Sequence, residues 1–381
     1  MIENEKNDEI DLNLTEEDIK EIFERIDFER EQEEDEAQEA NLQYEINAYG
    51  GDFDVDGLVR RFERGDIYWP KFQRNYVWTK RQASRFIESI LIGLPIPSLF
   101  LYKEEEEKRH FIVDGLQRIT TLHAFKCNKF PSKSGTKFTK FSLNGLPKGS
   151  QFFNKTYEQL EAKDRRTFDD TIIHIQFIEQ TAPDNDHSAA FNIFDRLNSG
   201  GTPLQAQEMR NALYLGSFQR RLIELNENKI WREIFGGSAH KRGKDIELIL
   251  RFLALYNWEG YYKEPMKVFL NRFMRNNKNA DNDQLEKFGS QFSNTLGRIH
   301  KALGNSAFKL GRYRGFSAPF YDAFMVSVAG NESATPEMIK AAYKTLRNDK
   351  QFLDLSRSAT TNTYSVNQRI RMVREALDAA P

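Results

Sequence analysis

The hydrophobic and polar positions change period twice along the chain. In the first stretch, Ile19, Phe23 and Ile26 recur at helical spacing behind Thr15, which predicts one amphipathic helix capped by that threonine. Glu29 to Glu39 then has almost no apolar content and reads as a solvated helix or a disordered tether. From residue 44 to about 180, helix and strand signals alternate. A strand near Ile46, a helix over 55–62 and an extended segment at 67–69 lead to Pro70. Thr79 then caps a helix in which Ala83, Phe86, Ile87, Ile90, Leu91 and Leu94 form one apolar stripe. Residues 98–102 and 110–113 predict a hairpin with buried faces, and 137–143 and 171–178 are further strand candidates around a helix near 161–168.

After Pro183 nearly every segment has a 3.6-residue period, with helices expected near 188–197, 203–214, 218–225, 246–256, 266–274, 288–303, 318–328, 336–346 and 366–377. Thr202-Pro203-Leu204-Gln205 and Ser365-Val366-Asn367-Gln368 both have the pattern of a capping box. The expected plan is an acidic arm (1–43), an α+β domain (44–180) and an all-helical region (181–381).

Charge sharpens this division. The net charge of −2 conceals 19 acidic against 4 basic residues up to Glu45, and 51 basic against 38 acidic in the remainder. An acidic arm precedes a basic body, so the arm either tethers the chain or covers a basic nucleic-acid surface of the same molecule. Forty-eight aromatic residues supply a large core. The single cysteine, Cys127, excludes an internal disulfide and a CxxC zinc site, and points to a reducing compartment. No apolar run approaches the ~20 residues of a membrane helix. A cytoplasmic protein with no membrane partner is the expectation.

Three polar segments adjoin turns. In 112–121, Asp114 and Gly115 stand between a buried strand and a helix, where free N–H groups attract an anion. Asp114 can hold Mg2+ and Arg118 can neutralise phosphate, or the two can merely form a cap and an i,i+4 pair. In 69–78, Gln73 and Arg74 sit among Trp69, Phe72, Tyr76 and Trp78, a mixture that suits base stacking and phosphate binding, or a core. In 194–204, one helix ends in Gly200-Gly201 and another begins at Thr202-Pro203, either as a ligand-binding junction or as a well-capped turn. The later helices are basic, with Arg272, Arg298, Lys301, Arg312, Arg314, Lys340, Lys344, Arg347, Arg369 and Arg371 among others, which reads as solubilising charge or as a DNA face.

Taken together, Q-R-x-Y-x-W, V-D-G-x-Q-R-x-T-T-L and F-x-R-L-N-S-G-G-T-P-L-x-x-x-E-x-R-N-A resemble the N-terminal domain of GmrSD-type restriction endonucleases, a branch of the ParB/sulfiredoxin-like superfamily. The resemblance covers roughly residues 46–255, including a later stretch with Lys241, Arg242, Asp245, Glu247 and Arg251. It implies a ParB/sulfiredoxin-like α+β domain that binds and hydrolyses a nucleoside triphosphate with Mg2+ in bacterial defence against phage DNA. The D-G-Q-Q-R segment of that family falls on Asp114, Gly115, Leu116, Gln117 and Arg118, with Leu116 in place of the first glutamine.

On this reading Asp114, Gln117 and Arg118 are catalytic. Gln73, Arg74, Tyr76, Trp78, Gly115, Thr120, Asn198, Gly200, Gly201 and Thr202 bind the nucleotide, and Asp114 holds the metal. The family commonly carries or partners an HNH-type nuclease, but the six histidines here are scattered singly without an H-x-P pattern. DNA cleavage is therefore expected from a separate nuclease subunit. The alternative is a non-catalytic DNA-binding or scaffolding protein with a vestigial nucleotide pocket. Cleavage by the ParB-like fold itself has little support, because no compact carboxylate cluster is evident.

Overall fold

The computed structural model describes residues 45–69, 76–104, 108–131, 138–182, 193, 206–237, 240, 243–310 and 315–380; the acidic arm lies outside them. Strand β1 (Glu45–Asp54) ends at Asp54, whose carboxylate accepts from Gly57 N and caps helix α1 (Val55–Arg64). Gly65, at φ 81°, closes that helix in the left-handed conformation and leads into β2 (Ile67–Tyr68). Helix α2 (Lys80–Leu91) starts as its sequence predicts: Gln82 N donates to Thr79 Oγ1 at 3.3 Å, and Thr79 N donates to Gln82 Oε1 at 2.9 Å. The helix buries Ala83, Ile87, Ile90 and Leu91. Leu94, placed on the same stripe by spacing, lies past the helix end and is 51% exposed, because the turn at Gly93 breaks the period.

The predicted hairpin is present as β3 (Leu99–Glu104) paired antiparallel with β4 (Arg109–Asp114). Helix α3 (Leu116–Lys126) follows β4 at once. After β5 (Phe130–Pro131), β6 (Phe138–Thr139) and helix α4 (Ala162–Asp169), strand β7 (Ile172–Ala182) returns along the whole of β1. The main sheet has the order β1-β7-β3-β4-β2, with β7–β3 and β4–β2 parallel. Its core face carries Leu99, Leu101, Ile112, Ile173, Ile175 and Phe177, against which α1, α2 and α3 pack. Alternating residues such as His174 face outward, as the two-residue period of a strand requires. The strand expected over 137–143 is regular only at Phe138–Thr139. Phe141 and Leu143 are fully buried instead by an irregular loop, held by Leu143 N to Lys155 O at 2.9 Å.

The chain divides into two compact units, Gln43–Leu215 and one containing Gly216–Pro381. Helix α5 (Ala206–Leu213) belongs with the first. The change to helical periodicity after Pro183 therefore marks a change of element type, while the compact unit runs on to Leu215. The fold is mixed α+β followed by a helical region, as expected. The second unit contains α6 (Ser217–Asn226), α7 (Lys229–Phe235), α8 (Lys244–Asn257), α9 (Met266–Asn276), α10 (Asn282–Leu303), α11 (Ala318–Gly330), α12 (Pro336–Leu346), α13 (Lys350–Leu355) and α14 (Thr363–Asp378). A small hairpin, β8 (Lys309–Leu310) with β9 (Gly315–Phe316), interrupts them.

The Ser365 capping box is corrected. Helix α14 begins three residues earlier, where Asn362 accepts from Tyr364 N at 2.9 Å, so Ser365 sits inside the first turn. Asparagine caps as well as serine does, and the earlier residue takes the role. Among the described residues no helix is long and apolar enough to cross a membrane.

Candidate functional site

The junction between β4 and α3 holds the residues on which a phosphate-binding turn depends. Gly115 has φ 104°, and a Cβ there would lie 2.2 Å from Leu99 Cδ2. Both the left-handed backbone and the close approach of β3 require glycine. Ile119 N is the first amide of α3 to close a helical bond, to Gly115 O at 2.9 Å. The preceding turn thus presents its N–H groups at the positive end of the helix dipole. Leu116, the residue that departs from the family motif, packs against the hydrophobic core.

Arg118 turns back across this junction. Its guanidinium donates to Asp114 Oδ2 at 2.5 Å, to Pro97 O at 2.5 Å and to Ser98 O at 3.1 Å. The side chain is 14% exposed, against 39% for Asp114. In this geometry Arg118 fastens the loop before β3 to the end of β4 and fixes the Asp114 carboxylate. Three of its five N–H donors are thus directed at protein oxygens. Asp114 does not cap α3; the cap position is Gly115, without a side-chain bond.

Gln117 points the other way. Its Oε1 accepts from Val77 N at 3.0 Å and from Trp78 N at 3.2 Å. One turn further, Thr121 Oγ1 donates to Gln117 O at 2.6 Å and so receives the Tyr76 hydroxyl proton at 2.7 Å. Burial pushes the Tyr76 phenol up to about 12. Tyr76 also meets Phe130 edge-on at 5.3 Å, and Trp78 meets Phe86 at 5.4 Å. Tyr76 and Trp78, expected to bind nucleotide, thus pack within the protein and tie their segment to α3.

Among the other expected contacts, Thr120 is half-buried on α3. Gln73, Arg74, Asn198, Gly200, Gly201 and Thr202 lie outside the described residues. Thr121, Pro97 and Ser98 are the partners that spacing missed. Thr121 is the second threonine of the T-T pair, but nothing in the sequence marks the two carbonyls as acceptors.

The histidines fall in separate settings among the described residues. His174 pairs with Asp52 at 2.6 Å, and His300 with Asn305 at 2.8 Å. His110 is held below the ordinary imidazole range by burial and by the nearby Arg61 and Lys103 charges. Among the described residues, His123 sits in a group of three side chains of metal-ligating type, with Glu63 and Cys127.

In the helical unit several candidate basic residues are structural. Arg298 donates to Val328 O at 2.8 Å, Asn331 O at 2.7 Å and Ala334 O at 2.9 Å. Arg369 is 1% exposed and donates to Leu355 O and Thr360 O. Asp245, from the later stretch of the resemblance, is fully buried and accepts from Asn226, Arg232 and the His240 amide at 2.9 to 3.0 Å. Lys241, Arg242, Arg312 and Arg314 lie outside the described residues.

An uncharacterised protein of Methanocaldococcus jannaschii is 29% identical over an alignment covering 23% of this chain and 19% of its own length, so the match spans about a fifth of that relative. The α+β unit matches more specifically. Residues 55–215, which contain Asp114, Gly115, Gln117 and the segment that Gln117 clamps, match the family described as GmrSD restriction endonuclease, N-terminal domain, and end where the first compact unit ends.

Proposed function

We propose that this chain is a nucleotide-binding, triphosphate-hydrolysing sensor or regulatory subunit of a restriction system, acting on foreign or modified DNA that a separate HNH-type subunit cuts. The observation that carries this reading is the β4–Gly115–α3 junction: a strand-end carboxylate, a glycine turn and a helix N-terminus in one place, within the stretch that matches the restriction-endonuclease family. Phosphates would meet the first N–H groups of α3. Arg118 engages one Asp114 oxygen, and the other suits a magnesium ion, which when bound neutralises phosphate charge. The chain's own residues then divide the work. Arg118 orients Asp114, and Asp114 holds metal or positions water. Gln117 fixes Val77 and Trp78 through their backbone amides and so ties that segment to α3.

Triphosphate hydrolysis by the wild type and by Asp114→Ala, with magnesium and a panel of nucleotides, tests the assignment. Loss of hydrolysis with retained folding is expected, and equal rates would sink it. Cleavage of DNA by the purified chain alone would overturn the division of labour.

A second reading is favoured by the engagement of Arg118 and the core placement of Leu116: a DNA-binding scaffold with a vestigial pocket. It predicts DNA affinity that falls steeply with salt and ignores nucleotide.

A further inference from the structure

We infer that Glu63, His123 and Cys127 form a binding site for a zinc-like divalent cation, separate from the β4–α3 junction and independent of the nucleotide reading. The three ligand atoms lie within 4.8 Å of one another. Glu63 Oε1 is 3.3 Å from His123 Nε2 and 3.2 Å from Cys127 Sγ. Metal bonds of about 2.1 Å to nitrogen or oxygen and 2.3 Å to sulfur give tetrahedral edges of about 3.4 Å for O···N and 3.6 Å for O···S. These two separations are already within a few tenths of an ångström of those edges, and the His123–Cys127 separation, no more than 4.8 Å, closes to its own edge of about 3.6 Å by side-chain rotation.

The scaffold behind the ligands is firm. His123 and Cys127 are four residues apart, and the Cys127 amide closes α3 on His123 O at 2.9 Å, so both side chains leave one face of the helix. Glu63 comes from the last turn of α1. The two helices pack against each other, and Leu58 and Val59 on one and Leu122 and Phe125 on the other are all at most 1% exposed. Phe62 lies edge-on to the His123 ring at 5.6 Å and limits its rotation.

The chemistry selects the cation. One thiolate, one imidazole and one carboxylate suit zinc and cobalt(II), whereas magnesium and calcium prefer oxygen alone. Glu63 and the thiolate together balance a double positive charge. Among nearby cations, Lys126 is occupied with Asp56 and Asp169, and Lys129 is solvent-exposed. On binding, the Cys127 thiol releases its proton to solvent as the sulfur–metal bond forms, and water completes the coordination at the open fourth position.

Cys127 is the chain's only cysteine, so a thiolate signal has one source. Titrating the metal-free full chain with cobalt(II) should develop a thiolate-to-metal charge-transfer band in the near ultraviolet that saturates at equimolar metal and is bleached by zinc. Cys127→Ser should abolish the band. His123→Ala and Glu63→Gln, both at partly exposed positions, should each weaken cobalt binding at least ~10-fold, while Asp114→Ala should leave it intact. No band in the wild type, or a band of equal affinity in His123→Ala, overturns the site and leaves the three groups as a hydrogen-bonded cluster.

Discussion

Gln117 Oε1 lies 3.0 Å from Val77 N and 3.2 Å from Trp78 N, so one side-chain oxygen holds two consecutive backbone donors some forty residues away. No regular strand pairing satisfies these amides. Gln117→Leu removes the acceptor shared by one exposed and one part-buried amide and should cost ~0.5–1.5 kcal/mol. Gln117→Glu keeps an acceptor oxygen while losing the amide N–H donors. It should therefore retain most of the stability lost in the leucine variant. Equal destabilisation by both, read from denaturant midpoints, would argue against the clamp.

The glycine beside it is under two constraints at once. Its φ of 104° is unfavourable for an L side chain, and the missing Cβ would overlap Leu99 on the neighbouring strand. Gly115→Ala should lose at least ~2 kcal/mol. Combining it with Leu99→Ala relieves the overlap but not the backbone strain, so the double variant should lose less than the sum of the two single changes. Strict additivity would show that the close approach contributes nothing.

A different cost attends the helical unit. Arg251 on α8 donates to Asp322 Oδ2 on α11 through Nε at 3.0 Å and through Nη2 at 2.5 Å, with side-chain exposures of 2% and 1%. Removing one member deprives a buried charge of its ion-pair partner, and Asp322→Asn should cost ~3–5 kcal/mol. Replacing the pair by methionine and leucine should cost less than that single change, because no charge is left behind. A double variant less stable than Asp322→Asn would mean that the pair contributes net stability.

These relationships show what was legible beforehand. The α2 helix with its Thr79–Gln82 cap, the β3–β4 hairpin and most helices of the second unit follow from local period and cap chemistry, and they appear where the pattern put them. The β1–β7 pairing was not legible, since it joins strands more than a hundred residues apart and β1 is largely exposed, with little period to fix its register. Arg298 and Arg369 looked like surface charge because composition cannot show that a long aliphatic stem reaches buried carbonyls. Glu63 escaped notice as a ligand for the same reason that Val77 escaped notice as a partner: each meets its counterpart across the fold and not along one element.

Acid should reveal one surface network. Asp56 is held below the usual carboxylate range, first by its hydrogen bond from Lys126, against the cost of burial, with the Lys126 and Arg60 charges adding to the effect. Its proton binds less tightly in the folded state, so the stability it adds is present above the ordinary carboxylate pKa and is lost as pH falls through the depressed one. Asp56→Asn should be less stable than wild type at neutral pH, and the two stability curves should converge as pH drops below about 4. Curves that stay parallel to pH 2 would remove Asp56 from this role.

The opposed charges of arm and body lead to the last prediction. With Arg298, Arg369 and the 7%-exposed Lys278 engaged in the interior, Lys340 and Lys344 on α12, with Arg347 one turn beyond, form a run of exposed cations on one face among the described residues of the helical unit. Their i, i+4, i+7 spacing suits successive phosphates better than scattered solubilising charge. If this face binds DNA, replacing all three by alanine should weaken binding at low salt and flatten the salt dependence by about 0.9 in log–log slope for each phosphate no longer neutralised. Deleting residues 1–43 should have the opposite effect on affinity if the acidic arm competes for the same cations. Fluorescence anisotropy across a salt series separates the cases. An unchanged slope in the triple variant excludes this face, and a slope that changes without any effect of the deletion leaves the arm as a tether or as a docking segment for a partner.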